Sequence, residues 1–182
     1  MHWNLQGQVN GWGTPLEAAL LQPALATGVY LLILAFDWGR MDFKAARAMS
    51  PATTRQVRVL VLLLLGILQM LILGSALRGG TFRGNLVFAC LCGFFILLGN
   101  LMPRLEPNAW VGIRIPPTLE NREVWKGTHR FAGRLWVIGG VLLLPTCLLR
   151  ESQALVICLS GLMVLAFVPM IYAYRLRALL SR

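Results

Sequence analysis

Five apolar runs, at residues 16–36, 57–77, 85–102, 131–149 and 153–174, dominate the chain. Each is close to the ~20 residues that a helix rising about 1.5 Å per residue needs to cross roughly 30 Å of hydrocarbon. Only 13% of the residues are charged, about half the share of an ordinary soluble domain. That leaves too little polar surface to cover a globule in water. The expectation is an all-α fold, a polytopic transmembrane helix bundle of five spans. A signal peptide is a poor reading of the first run. No basic segment precedes it, and Asp37-Trp38-Gly39-Arg40 makes a poor cleavage site.

The loops orient the bundle. Fourteen of the 17 Lys and Arg residues fall in alternate segments: the loop after the first run with Arg58 at the start of the second, the loop between the third and fourth runs with Arg134 at the start of the fourth, and the C-terminal tail. Basic residues collect on the cytoplasmic side, so the bias puts the N-terminus outside and the 103–130 loop and C-terminus inside. It also accounts for the net charge of +10 without nucleic acid as a direct partner. The organisation expected is an external loop at 1–15 and three spans over 16–102. A cytoplasmic segment at 103–130 follows, then two spans and a basic tail over 131–182. Trp38, Trp110, Trp125, Trp136, Tyr172 and Tyr174 lie near span ends, where amphipathic rings settle among headgroups. Cys90, Cys92, Cys147 and Cys158 sit inside apolar runs without a CxxC pair, which reads as buried small residues rather than a disulfide or zinc site.

The 103–130 segment is unlike its surroundings. Pro103 stops the third span, and Pro107-Asn108 is turn chemistry. Pro116-Pro117 holds the chain extended, so that Thr118 caps a helix with Glu120 and Glu123 in its first turns. That helix is expected to run unbroken into the fourth span. Arg122, Lys126, Arg130 and Arg134 recur every four residues as one basic stripe. Val124, Thr128, Phe131 and Leu135 form a neighbouring, mostly apolar face. A basic stripe at a span end is accounted for by topology and anionic lipid alone. The ordered mix of Asn100, Asn108, Gly112 and Arg114 beside it is not.

The stretch GNLMPRLEPNAWVGIRIPPTLENREVWKGTHRFAGRL, residues 99–135, resembles the signature of the SdpI family of bacterial membrane proteins. The resemblance rests on Asn100, Pro103, Arg104, Asn108, Gly112, Ile113, Arg114, Pro116, Thr118, Leu119, Trp125, Thr128, His129, Arg130 and Gly133. Ile115 and Pro117 depart from it, standing where Thr and Trp are usual. The opening HWNLQGQVNGWG, with His2, Trp3, Asn4 and Gly7, resembles the segment found before this signature. Family versions commonly have Asp where Asn10 stands. The resemblance implies a multi-pass protein of the bacterial plasma membrane that gives immunity against secreted toxic peptides. It also implies signalling through a cytoplasmic regulator, a membrane-held transcriptional repressor in the founding member's system. Members usually carry one more span before the His-Trp-Asn motif. Either that first span is lost here or Met1 is an internal methionine of a longer product, and the second is the expectation.

Little else carries chemistry. His2 and His129, the chain's 2 histidines, are expected on opposite membrane faces and so share no metal. His129 reads as a hydrogen-bonding group of the loop rather than a general base. Asn4, Gln6 and Asn10 could recognise a peptide or headgroup, or belong to a turn-rich cap. Catalytic motifs are absent, so neither a catalytic residue nor a metal or cofactor is assigned, and the chain is not read as an enzyme. The polar side chains of note within the spans are Thr27, Gln69, Ser75, Thr146, Ser160 and, at a boundary, Asn100, and none of these is charged. Glu17 is the one carboxylate close to a span. A transporter usually needs ionisable groups at depth. The rival readings are a carrier or enzyme that holds a lipid headgroup with Arg104, Arg114, Arg130 and Arg134, and a structural scaffold.

Overall fold

The computed structural model describes residues 2–3, 9–11, 13–39, 51–77, 84–108 and 111–181. His2–Trp3 (β1) and Val9–Gly11 (β2) pair antiparallel as a short ribbon. Six helices follow: α1 Pro15–Gly39, α2 Pro51–Leu77, α3 Gly84–Leu101, α4 Pro116–Glu120, α5 Arg122–Leu143 and α6 Glu151–Leu180. Tight 3₁₀ turns at Met102–Arg104 and Leu144–Leu148 end α3 and α5. Each contains a proline, which has no N–H to continue the α ladder. Four helices among the described residues (α2, α3, α5 and α6) are long and apolar enough to cross a bilayer. The apolar stretch of the fifth, α1, is described over Pro23–Leu32. The protein is a multi-pass helical membrane protein, with Leu20, Leu63, Met70, Leu142, Val156 and Phe167 turned outward toward lipid.

Glu17 has a structural role at the start of α1. The Thr14 N–H donates to Glu17 Oε2 at 2.8 Å, and the Glu17 N–H donates to Thr14 Oγ1 at 3.2 Å. This reciprocal capping satisfies two orphan helix donors. The hydroxyls of Ser75, Thr146 and Ser160 turn back onto carbonyls of their own segments, which satisfies them without a partner helix.

The core lies along α5, which packs against α3 on one side and α6 on the other. Glycines make this possible. A Cβ on Gly99 of α3 would stand 2.9 Å from the Gly133 carbonyl oxygen of α5, and one on Gly133 would stand 2.7 Å from the Gly99 carbonyl oxygen. Two turns along, a Cβ on Gly140 would meet the Cys92 carbonyl oxygen at 3.0 Å. With no hydrophobic drive between helices in lipid, close backbone approach of this kind supplies the packing energy. Toward α6, Gly127 and Gly139 receive Leu176 and Leu165, and Gly161 receives Leu143.

The fold corrects the headgroup-level reading of two tryptophans. Trp125 is fully buried and Trp136 nearly so. Their indole N–H groups donate to the carbonyls of Leu105 and Leu165, each at 2.7 Å. An indole N–H needs one acceptor, and a backbone carbonyl freed at a turn or tilted off a helix serves as well as a headgroup. Tyr172 stacks on Phe131 at 4.3 Å, and Tyr174 is exposed. The Trp38 side chain and Trp110 lie outside the described residues.

Candidate functional site

The segment between α3 and α5 is folded back onto α5 and tied there by its own polar groups. Asn108 is buried. Its side-chain oxygen accepts the Val111 N–H at 2.7 Å, while its amide donates to the carbonyls of Glu106 and Val111 at 2.9 Å each. This closes the turn that Pro107-Asn108 announces. Gly112 follows with φ +124°, a backbone conformation open to glycine and costly to other residues. A side chain there would also collide with His129 Nε2 and the Trp125 ring.

Both ring nitrogens of His129 are engaged. Nε2 accepts the Ile113 N–H at 3.0 Å, and Nδ1 lies 2.8 Å from the Trp125 carbonyl oxygen. Only the neutral tautomer with the proton on Nδ1 fits this pairing. A second proton, on Nε2, would face the Ile113 N–H donor to donor. The ring stacks on the Trp125 indole, with centroids 4.1 Å apart at 19°. His129 is therefore a clamp, as expected of a loop hydrogen-bonding group, and has no lone pair left to act as a base.

Thr118 completes the clamp. Its hydroxyl donates to the Ile113 carbonyl at 2.6 Å and accepts the Ile115 N–H at 3.2 Å. Ile113 thus has its N–H held by His129 and its carbonyl held by Thr118. The Ile115 carbonyl receives the N–H groups of Thr118 and Leu119 at 3.0 and 3.1 Å. Arg114 stands between these two fixed residues, exposed, with no hydrogen bond or ion pair among the described residues. The backbone on both sides of Arg114 is therefore tied, and its exposed guanidinium extends from that tied stretch.

Three local expectations need correction. Pro116 and Pro117 do not extend the chain; they open α4, where a missing N–H costs nothing. Thr118 is not an N-cap but lies within α4. The helix does not run unbroken into the fourth span: Asn121, with φ −136° and ψ 121°, separates α4 from α5. Asn121 caps α5, accepting the N–H groups of Glu123 and Val124 at 2.8 and 3.2 Å. Glu120 therefore ends α4, while Glu123 does fall in the first turn of α5. An Asn followed by a charged amphipathic run was a legible N-cap signal, masked by the better-known Pro-Pro-Thr pattern before it.

The basic stripe is exposed at Arg122, Arg130 and Arg134 and half-buried at Lys126, while Val124 and Thr128 on the other face are buried. Arg122 pairs with Glu106 at 3.0 Å, and Glu120 pairs with Arg177 of α6 at 2.6 Å. Both pairs are surface contacts, worth about 0–1 kcal/mol each, and both tie the loop to its frame. Arg130 reaches only the Lys126 carbonyl, at 3.4 Å. Arg104, after the exposed Pro103, is exposed without a partner among the described residues, and Asn100 is exposed at the end of α3. The Thr128 hydroxyl is buried without a hydrogen-bond partner among the described residues. His2 and Trp3 belong to β1, far in sequence from this loop, and Asn4 and Gly7 lie outside the described residues. Among the described residues, no three His, Cys, Asp or Glu side chains gather as a metal site requires.

Residues 104–173 match the SdpI/YfhL protein family. Over these residues the chain resembles that family. It is 36% identical over 84 residues to the Immunity protein SdpI of Bacillus subtilis (strain 168). That alignment takes in 46% of this chain and 40% of the relative, so it spans about two-fifths of the relative's length. No solved structure matches. The SdpI-family match begins at Arg104 and contains Asn108, Gly112, Arg114, Pro116, Thr118, Trp125, Thr128, His129 and Arg130. Asn100, Pro103 and the opening ribbon precede it.

Proposed function

We propose that this protein protects the membrane that holds it against secreted toxic peptides, with the tied loop on the cytoplasmic side as its working surface. The observation that carries the reading is the clamped mount of Arg114. Membrane anchoring needs charge but not a guanidinium held between two residues whose backbone groups are bonded. The name of the Bacillus subtilis relative, an immunity protein, supports a protective role. A cytoplasmic regulator docking on the loop would couple protection to signalling. The non-enzymatic reading is supported by how the candidate groups are used: His129 is doubly hydrogen-bonded, and Glu17 caps a helix.

The test is a strain lacking the gene, challenged with membrane-active secreted peptides and complemented with this chain. Restored survival supports immunity; equal killing with and without the chain contradicts it. Orientation is checked separately in a Cys-free background. Leu119→Cys, at an exposed position of α4, is expected to resist an impermeant thiol reagent in intact cells and react once the membrane is opened. Gln8→Cys is expected to react in intact cells. Reversed labelling would refute the cytoplasmic placement.

A further inference from the structure

We propose that Arg104, Arg114, Arg130 and Arg134 form one binding site for the phosphate of an anionic phospholipid headgroup. The first observation is how the charges pair. At this end of the bundle Glu106 and Glu120 are taken by Arg122 and Arg177. The four proposed arginines are exposed, and none pairs with a carboxylate among the described residues. Glu123, the remaining carboxylate of this end, lies two turns before Arg130, about 10 Å along the axis.

The second observation is where the loop is fixed to α5. The Ile113 N–H is bonded to His129, and the Pro103 ring lies against Gly133, where a Cβ would stand 2.9 Å from its Cδ. His129 and Gly133 are one turn apart, about 6 Å along the axis. Arg114 and Arg104 are the next residues in the loop after these two fixed points. Arg130 and Arg134 are the next residues in α5. Four long side chains therefore start from two adjoining places. Unscreened, such a set repels itself; an anion with several oxygens relieves the repulsion and accepts the planar forks two at a time.

The third observation sets the source of the anion. Arg130 and Arg134 flank Phe131, where the apolar run of α5 begins. That is headgroup level, so the phosphate is that of a lipid rather than a soluble metabolite. The inference does not depend on the immunity reading.

The test uses the full chain in mild detergent, titrated with phosphatidylglycerol, phosphatidylcholine or inorganic phosphate and followed by native mass spectrometry. Phosphatidylglycerol is expected to bind as a discrete adduct. Phosphatidylcholine is expected to bind more weakly, because its ammonium would be drawn among four guanidiniums. Arg114→Lys and Arg130→Gln are each expected to lower phosphatidylglycerol affinity about tenfold, the loss of roughly one charge-assisted hydrogen bond. Arg175→Gln, an exposed cation outside the set, is expected to change it little. Because the substituted side chains are exposed, thermal unfolding of the variants is expected to match the parent. Competition by inorganic phosphate at similar concentration would overturn the lipid assignment. Equal losses in Arg175→Gln would overturn the site itself and leave a diffuse basic surface.

Discussion

The loop from Met102 to His129 and the helix α2 are both ordered parts of one membrane protein, yet different forces specify them. In α2, Leu63 and Met70 are more than half exposed, and Gly66 has nothing within 4 Å of where a Cβ would stand. Its outward side chains need only match a hydrocarbon solvent, so many sequences would serve there. In the loop, Leu105, Trp125, Thr118 and His129 are at most 2% exposed, and most of their polar groups have one named partner. Here position is specified atom by atom. The contrast teaches where substitution should hurt: a helix facing lipid tolerates exchange of apolar residues, whereas a clamped loop tolerates almost none.

The sharpest way to break the comparison is to make the same change in both regions. Gly112→Ala forces a side chain into a φ of +124° and onto the His129 ring. A cost of about 2–5 kcal/mol is expected from strain and overpacking together, seen as a large drop in detergent unfolding temperature and in membrane accumulation. Gly66→Ala in α2 is expected to be neutral or to stabilise by up to about 1 kcal/mol, the helix propensity difference. Similar outcomes for the two would erase the distinction.

A smaller effect is expected from Trp125→Phe. The ring volume is largely kept, but the buried Leu105 carbonyl loses the donor that holds it at 2.7 Å. Leaving such a group unsatisfied costs about 1–3 kcal/mol, readable as a lower unfolding temperature and faster proteolysis within the loop. An unchanged temperature would mean that the loop is not held by this bond.

Thr128→Val is expected to have the smallest effect on stability, zero or slightly favourable, because the buried hydroxyl has no hydrogen-bond partner among the described residues. Unfolding measured beside toxin protection separates two roles. A stable variant that loses protection would place Thr128 in the functional surface. A destabilised one would show that the hydroxyl is satisfied within the fold.

The same contrast explains what could be read from sequence. The apolar runs were legible, and four of them stand among the described residues as helices long enough to cross, since hydrocarbon imposes length and apolarity on each helix by itself. Pro103 as a terminator and Asn108 as a turn residue were legible because their chemistry is local, and His129 was legible as a hydrogen-bonding group of the loop though not its Ile113 partner. What escaped was pairing across distance. Nothing near Trp125 in the chain marks the Leu105 carbonyl as its acceptor, and nothing near Gly99 announces Gly133. Glu17 carried a further local signal, since Thr14 stands three residues before it, the spacing of a capping box.

The central proposal is that the tied loop presents the Arg114 guanidinium as part of a working surface, and Arg114→Lys tests it most directly. The substitution keeps the charge and the exposed position, and touches none of the hydrogen bonds that fix Ile113 and Ile115. It removes only the planar fork. Survival of toxin-challenged cells is measured at matched membrane levels of the parent and the variant. The account predicts that the Lys variant accumulates normally and loses most of its protection. Full protection by the Lys variant would contradict it, reducing Arg114 to one more positive charge at a membrane surface.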